Sequence, residues 1–569
     1  MRKLLTAAVF LLLTATLRAQ DISKMAKAKP FTISGSIGGG VTFYHSTENQ
    51  YTQPPFAWNL YANFTPTVYN FSFPFSFVLT QYSSSYTTPF AQFGVSPTYK
   101  WIKLDLGYRT INMSPLVFGG QNFLGAGLEL NPGKFRFAAF YGSLNKAVSE
   151  DTTSGHLAQP QYGRMGYGIK LGVGTDANHF DLLYFHAHDD SGSIKLINDT
   201  AAIRPQDNTV LGASFKLSFL HHRIIWTGDL AASALTQDLG ASKVNSDTLT
   251  NTFDKLASHV IDYRNSTVVS FAGQTLLTIL LKSFNTTLGY RRVQPDFQSL
   301  GIPYMLNDMQ TFQLNAGLIL DKGKVNLNGN LNDQQTGVSG KEASKLNTFT
   351  GSFNLGAMLS THANLSMAFS TVDISQANGT AQISDTARED EQVYTLSVTP
   401  SFNFGSASAL SSVSLSATWS LLHDNNTFTA PTDESNTLTG MISYSCAFTK
   451  QSFSLSASIL ENRFAQDTNT YTSIGFNVGG GAQLLKKKNL GFQVMVGYLL
   501  NHYTLSPVSN NITGSANVHF SVKKHHSFSA FFNVVTTPPT SNYINLQQKL
   551  PYAVSTTNVA GGLSYNYSF

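Results

Sequence analysis

The sequence predicts an all-β chain, a transmembrane antiparallel up-and-down β-barrel of about 26 strands, within a range of 22–26. Three observations carry this. Apolar and polar residues alternate with period two from Phe31 to Phe569. The connections between strands are alternately short and long. The last strand places Val559, Leu563, Tyr565, Tyr567 and Phe569 on one face and Asn558, Ala560, Gly562, Ser564, Asn566 and Ser568 on the other. An apolar strand edge left open at a terminus invites aggregation. It is stable where that strand closes a barrel and its apolar face meets lipid.

At the N-terminus, Arg2 and Lys3 precede the apolar run Leu4–Leu13, and Leu17-Arg18-Ala19-Gln20 offers a cut after Ala19. The run is too short to span a bilayer as a helix and has the form of a secretory leader. The expected organisation is therefore a leader at 1–19, a short periplasmic segment at 20–30 and a barrel over 31–569.

The first strand sets Phe31, Ile33, Ile37, Val41 and Phe43 against Thr32, Ser34, Ser36 and Thr42. Phe312, Leu314, Ala316, Leu318 and Leu320 oppose Gln313 and Asn315, and Val325, Leu327 and Leu331 oppose Asn326, Asn328 and Asn330. Val413 to Leu421 oppose a row of Ser and Thr from Ser412 to Ser420, and Phe453 to Ile459 oppose Ser454, Ser456 and Ser458. Small neutral polar side chains on one face suit a wet lumen better than a dry core.

Short connections are expected at 66–70, 99–100, 131–134, 172–178, 220–222, 282–283, 321–324, 361–362, 405–410, 449–451, 486–489 and 523–526. Longer polar stretches fall between them, among them 45–55, 110–122, 145–162, 189–208, 235–266, 291–308, 332–344, 372–391, 425–435 and 538–555. Short turns on the periplasmic side and long loops outside are the rhythm of a membrane barrel.

Only 12% of the residues are charged, and mean hydropathy is close to zero at −0.08. The chain has 37 basic and 32 acidic residues, and removal of Arg2, Lys3 and Arg18 with the leader brings the mature chain close to +2. That balance gives no footing for nucleic-acid binding. The single cysteine, Cys446, precludes an internal disulfide and a multi-cysteine zinc site.

The terminal strand, the leader and the loop rhythm together resemble the outer-membrane β-barrels of Gram-negative bacteria over essentially the whole mature chain. Phe93-Gly94-Val95-Ser96-Pro97 before Trp101, Leu106-Gly107-Tyr108-Arg109, the turn Asn131-Pro132-Gly133-Lys134, and Leu288-Gly289-Tyr290-Arg291-Arg292 resemble stretches of large, poorly characterised members. The short segment from Gln20 to Pro30 is unlike receptors that carry a plug domain before the barrel. The resemblance implies residence in the outer membrane, contact with its lipid and lipopolysaccharide, and insertion by the barrel-assembly machinery. In that reading Tyr565, Tyr567 and Phe569 are the assembly signal. A periplasmic or surface partner protein is a further expectation, and no cofactor is implied.

His186, His188 and Asp189 form the densest metal-ligand candidate, since two imidazoles about 7 Å apart share one strand face. The polar end of a strand entering a loop explains them as well. Lys134, Arg136 and Arg109 are the candidate pore residues, because lumen charges tune selectivity. The loop Thr110–Asn122 contains Met113, Leu116, Val117 and Phe118, and would hide them by folding inward or by packing on other loops. The loop 235–266 is a second candidate for filling the lumen. G-x-S-x-G, Walker A and H-E-x-x-H motifs are missing, so the chain is not read as an enzyme. The leading expectation is a channel or conduit for solute or polymer, restricted by inward-folded loops or a partner. A closed barrel serving as scaffold, adhesin or anchor is the alternative, and an outer-membrane lipid-modifying enzyme a minor third.

Overall fold

The computed structural model describes residues 29–47, 53–81, 92–149, 160–194, 203–258, 261–302, 304–467, 469–485, 487, 489–504, 506–523, 525–537 and 556–569. The expected leader at 1–19, the stretch 538–555, and Lys486, Lys488 and Lys524 from two of the expected short turns lie outside these residues.

Among the described residues the alternating pattern folds as a closed antiparallel barrel of 26 strands, with 70% of those residues in strands. Sequence neighbours pair with one another, and the first strand, Thr32–Ser46, pairs with the last, Thr556–Ser568, in a register running from Ser36 opposite Ser568 to Ser46 opposite Asn558. No free sheet edge remains at that seam, which satisfies the backbone groups lipid would leave unpaired. Two strands are interrupted by proline, which lacks the N–H a ladder needs. Pro74 separates Phe71–Ser72 from Phe75–Thr80, and Pro97 separates Gln92–Val95 from Thr98–Tyr99.

Register passes the inward or outward sense from strand to strand. On His179–Asp190, Phe180 and Leu182 point outward and are exposed, while Leu183 and Phe185 point inward and are buried. Leu182 lies opposite Ala213, so Leu211 and Phe215 share the outer face of Asp207–Phe219, and Val210 lies inside. The same continuity puts Leu314, Leu318, Leu327 and Leu331 outside, and Asn315, Asn328 and Asn330 inside, as the alternation predicts.

Where the chain closes, Phe528, Tyr565, Tyr567, Phe569 and Phe64 gather in ring contacts of 4.9–6.0 Å on the outer face near the short-turn end. Membrane barrels carry such aromatic girdles at the lipid–water boundary. The short turns fall where expected, several in left-handed backbone, as at Leu220, His221 and His222.

The longer connections vary more than the sequence suggests. Phe453–Gln466 ends only three positions before Asn469–Leu484 begins, and Leu490–Tyr503 only three before Ser506–Val522. The stretch 235–266 does not enter the lumen. Phe253 from its short helix, Thr252–Ser258, meets outward-facing Phe271 edge-on at 4.8 Å. Leu239, Ile261, Asp262 and Arg264 surround outward-facing His186 and Asp207. In this loop a hydrogen bond from Lys243 (2.7 Å) holds the Asp262 carboxyl below its ordinary range.

Candidate functional site

The lumen is the candidate site, and two loops shape it. The segment 110–122, which joins Ile102–Arg109 to Phe123–Leu130, turns inward and buries Ile111, Met113, Leu116, Val117 and Phe118. Phe118 sits 4.3 Å from the ring of Phe140 and 5.5 Å from that of Phe185. Ser114 Oγ donates to Asp229 Oδ1 (2.8 Å), so this one loop reaches across to the strand Ile224–Thr236. Only the concave side of a barrel lets so short a segment touch that many neighbouring strands. Gly212 makes room for the approach, since a Cβ there would lie 2.5 Å from Val117 Cγ2.

The connection 294–308 joins it, contributing Phe297 and Leu300 to the same apolar cluster. Polar bonds fix the two loops to each other and to the wall. Ser299 Oγ donates to the Val117 carbonyl (2.5 Å), Leu300 N–H to Asn208 Oδ1 (3.0 Å), and Ser233 Oγ to the Gln298 carbonyl (2.6 Å). At its far end, buried Asp308 accepts from Ser339 N–H (3.0 Å) and Ser339 Oγ (2.6 Å). The sequence stretch 291–308 reads as polar overall. Its signal is local: Phe297, Leu300, Ile302 and Met305 within a loop, the same apolar surplus that singles out 110–122.

Charge on the inner wall is concentrated beside these loops, and part of it is paired. Lys103 bridges Glu129 (2.8 Å) and Asp105 (3.1 Å). Arg136 holds Asp181 with Nε (2.9 Å) and Nη2 (3.1 Å), a two-point grip that fixes both side chains. Arg164 binds Asp189 in the same way, at 2.7 and 3.0 Å.

These partners revise the roles expected for single residues. Arg136 faces inward but is engaged by Asp181, a partner that lies 45 positions away and that the sequence does not mark. Lys134 is exposed in the turn 131–134, below the wall rather than on it. Arg109 lies flat across Gly94, where a Cβ would come within 2.9 Å of its guanidinium, and donates to Ser76 Oγ and the Pro74 carbonyl (3.2 Å). It therefore braces the proline-broken strands. Arg109→Ala is expected to lower stability by about 1–3 kcal/mol through these lost bonds, read as an earlier urea midpoint of the folded barrel.

The metal candidate separates. His186 and His188 point outward, whereas Asp189 points inward to Arg164, because successive strand residues face opposite sides. His186 Nδ1 lies 2.9 Å from Thr209 Oγ1. Among the described residues no group of three or more His, Cys, Asp or Glu could hold an ion.

Tyr565, Tyr567 and Phe569 do come together, on the outer face of the closing strand, and Phe569 N–H donates to the Gly35 carbonyl (2.9 Å). The described residues include no helix long and apolar enough to cross a membrane, which says nothing of strands.

No family model matches this sequence, and no curated protein matches it. Solved structures similar to the chain include the P pilus usher (PapC) translocation pore, at 11% identity over 94% of this chain and 99% of that one, TM-score 0.33. OccAB2 of Acinetobacter baumannii is 9% identical over 64% of this chain and 92% of its own, TM-score 0.32. A BenF-like porin from Pseudomonas fluorescens is 9% identical over 71% of this chain and 99% of its own, TM-score 0.31.

Proposed function

We propose that this chain is an outer-membrane channel whose lumen is narrowed by the loops 110–122 and 294–308. The observation that carries the reading is the apolar cluster those loops bury against one side of the inner wall, from Phe123 to Met309. It fills part of a barrel far wider than the 16–18 strands that already enclose water. The exposed apolar outer face and its aromatic girdle support residence in lipid. In this reading the outer face meets lipid and lipopolysaccharide, and Tyr565, Tyr567 and Phe569 are read by the insertion machinery. The reading includes no catalysis and no cofactor.

The test is single-channel recording of the purified mature protein in a planar bilayer. Steady current steps support a channel; silence from a demonstrably folded barrel favours the closed scaffold. Because the described inward strand positions carry seven basic and seven acidic side chains, cation and anion permeabilities are expected to lie within about two-fold of each other. Arg136→Ala removes the guanidinium that grips Asp181, leaving that carboxylate, among the described residues, only His179 Nε2 at 4.0 Å, and is expected to shift the reversal potential measurably toward cation preference.

A further inference from the structure

The inner wall is electrically lopsided. The inward positions from Lys103 to Arg291 carry Lys103, Asp105, Arg109, Glu129, Arg136, Arg164, Lys170, Asp181, Asp189, Lys216, Asp229 and Arg291, on the strands that hold the loop cluster. From Met309 round through the closing seam to Thr80, the described inward positions carry only Glu391 and Asp424 as acids, both at strand ends, and no Lys or Arg. The apolar loops therefore cover part of the charged side, while a broad neutral wall faces the remaining space.

That wall is built of hydroxyls and amides. Ser397 and Thr418 lie 2.8 Å apart, Ser414 and Ser443 2.6 Å, and Ser412 and Ser445 2.8 Å, in cross-strand pairs. A hydroxyl has one donor and two acceptor sites, so each pair keeps capacity for a further partner. Asn315 and Asn330 are bonded in the same manner. Rings interrupt the polar rows on this face: Tyr471 and Tyr503 sit 4.7 Å apart, and Tyr471 Oη donates to Asn501 Oδ1 (2.8 Å). Phe464, opposite Tyr471, shares their side of the wall.

We propose that the cargo contacting this wall is a neutral, hydroxyl-rich glycan chain. This rests on the channel reading and deepens it. Sugar hydroxyls match a surface offering both donors and acceptors, and the C–H face of a pyranose matches an aromatic ring, amphipathic in the same sense. A charged polymer would find no counter-charge along the neutral wall. A polypeptide, with its mixture of charged and apolar side chains, fits a uniform hydroxyl–amide surface less well.

The experiment records single channels of the full mature chain while maltohexaose, hexagalacturonate or an unstructured charged peptide is added in turn. Maltohexaose is expected to interrupt the current in resolved events, at least ten-fold more often than hexagalacturonate at equal concentration. In Tyr471→Ala and Ser414→Asp, each compared with its own open-channel level, the interruptions by maltohexaose should shorten several-fold. Interruption by hexagalacturonate or the peptide with none by maltohexaose would overturn the glycan assignment while leaving the channel in place. Current that none of the three probes interrupts does the same. Absence of current from a folded barrel would remove the channel and this assignment with it.

Discussion

Deleting residues 111–121 is expected to raise single-channel conductance several-fold over the parent. The deletion joins Thr110 directly to Asn122 and leaves a short hairpin between Ile102–Arg109 and Phe123–Leu130, so the wall persists. It removes Leu116, Val117 and Phe118, the most deeply buried part of the loop cluster, and withdraws the carbonyl that Ser299 binds. The companion loop then loses its partner and has space to move, which enlarges the path further. The apolar wall at Phe140 and Phe185 becomes wet, with a loss of stability that a point variant isolates. Phe118→Ala is expected to cost about 3–5 kcal/mol in urea unfolding, the usual penalty for emptying a buried aromatic site. Unchanged conductance in a deletion that folds would show that the loop does not border the conducting path.

The second large effect concerns assembly. Replacing Tyr565, Tyr567 and Phe569 together by Ala is expected to reduce folded protein in the outer membrane at least ten-fold, measured by heat-modifiable mobility on gels. Two causes are separable. The rings pack with Phe528 and Phe64 on the outer face, so their loss weakens the closing seam itself. Refolding of the purified variant into lipid vesicles without any machinery measures that part alone. A deficit in cells much larger than in vesicles supports a signal read by the machinery. Equal deficits would assign the residues to seam stability only.

Much of the architecture is visible along the chain because strand faces alternate locally. The rows Asn326, Asn328, Asn330 and Ser412 to Ser420 lie inside, as their neutral side chains imply, and their apolar alternates lie outside. A one-residue slip would turn every apolar side chain from the outer face to the polar lumen, so the register is strongly specified. The apolar surplus of 110–122 likewise signals a loop that must bury something.

Destinations and partners follow different physics. Nothing in the spacing of Arg136 announces Asp181, or in that of Arg109 announces Pro74 and Ser76, because each pair reaches across an intervening strand, over Gly172 and Gly94. Loop 235–266 is the longer and the more obvious filler, yet its Phe253 finds Phe271 on the outer wall. The shorter 294–308 enters instead, since Asn208 and Ser233 accept or donate the bonds its backbone needs inside. His186, His188 and Asp189 are neighbours in the chain but divide between two faces of one strand.

The sequence by itself therefore determined a closed barrel, its strand faces and its neutral polar lining, because a two-residue period is a local property of the chain. Only the tertiary structure decided which loops occupy the lumen and which charges neutralise one another. Those outcomes depend on groups tens to hundreds of residues apart, as with Val117 and Ser299, that meet only when the barrel curves its wall around them.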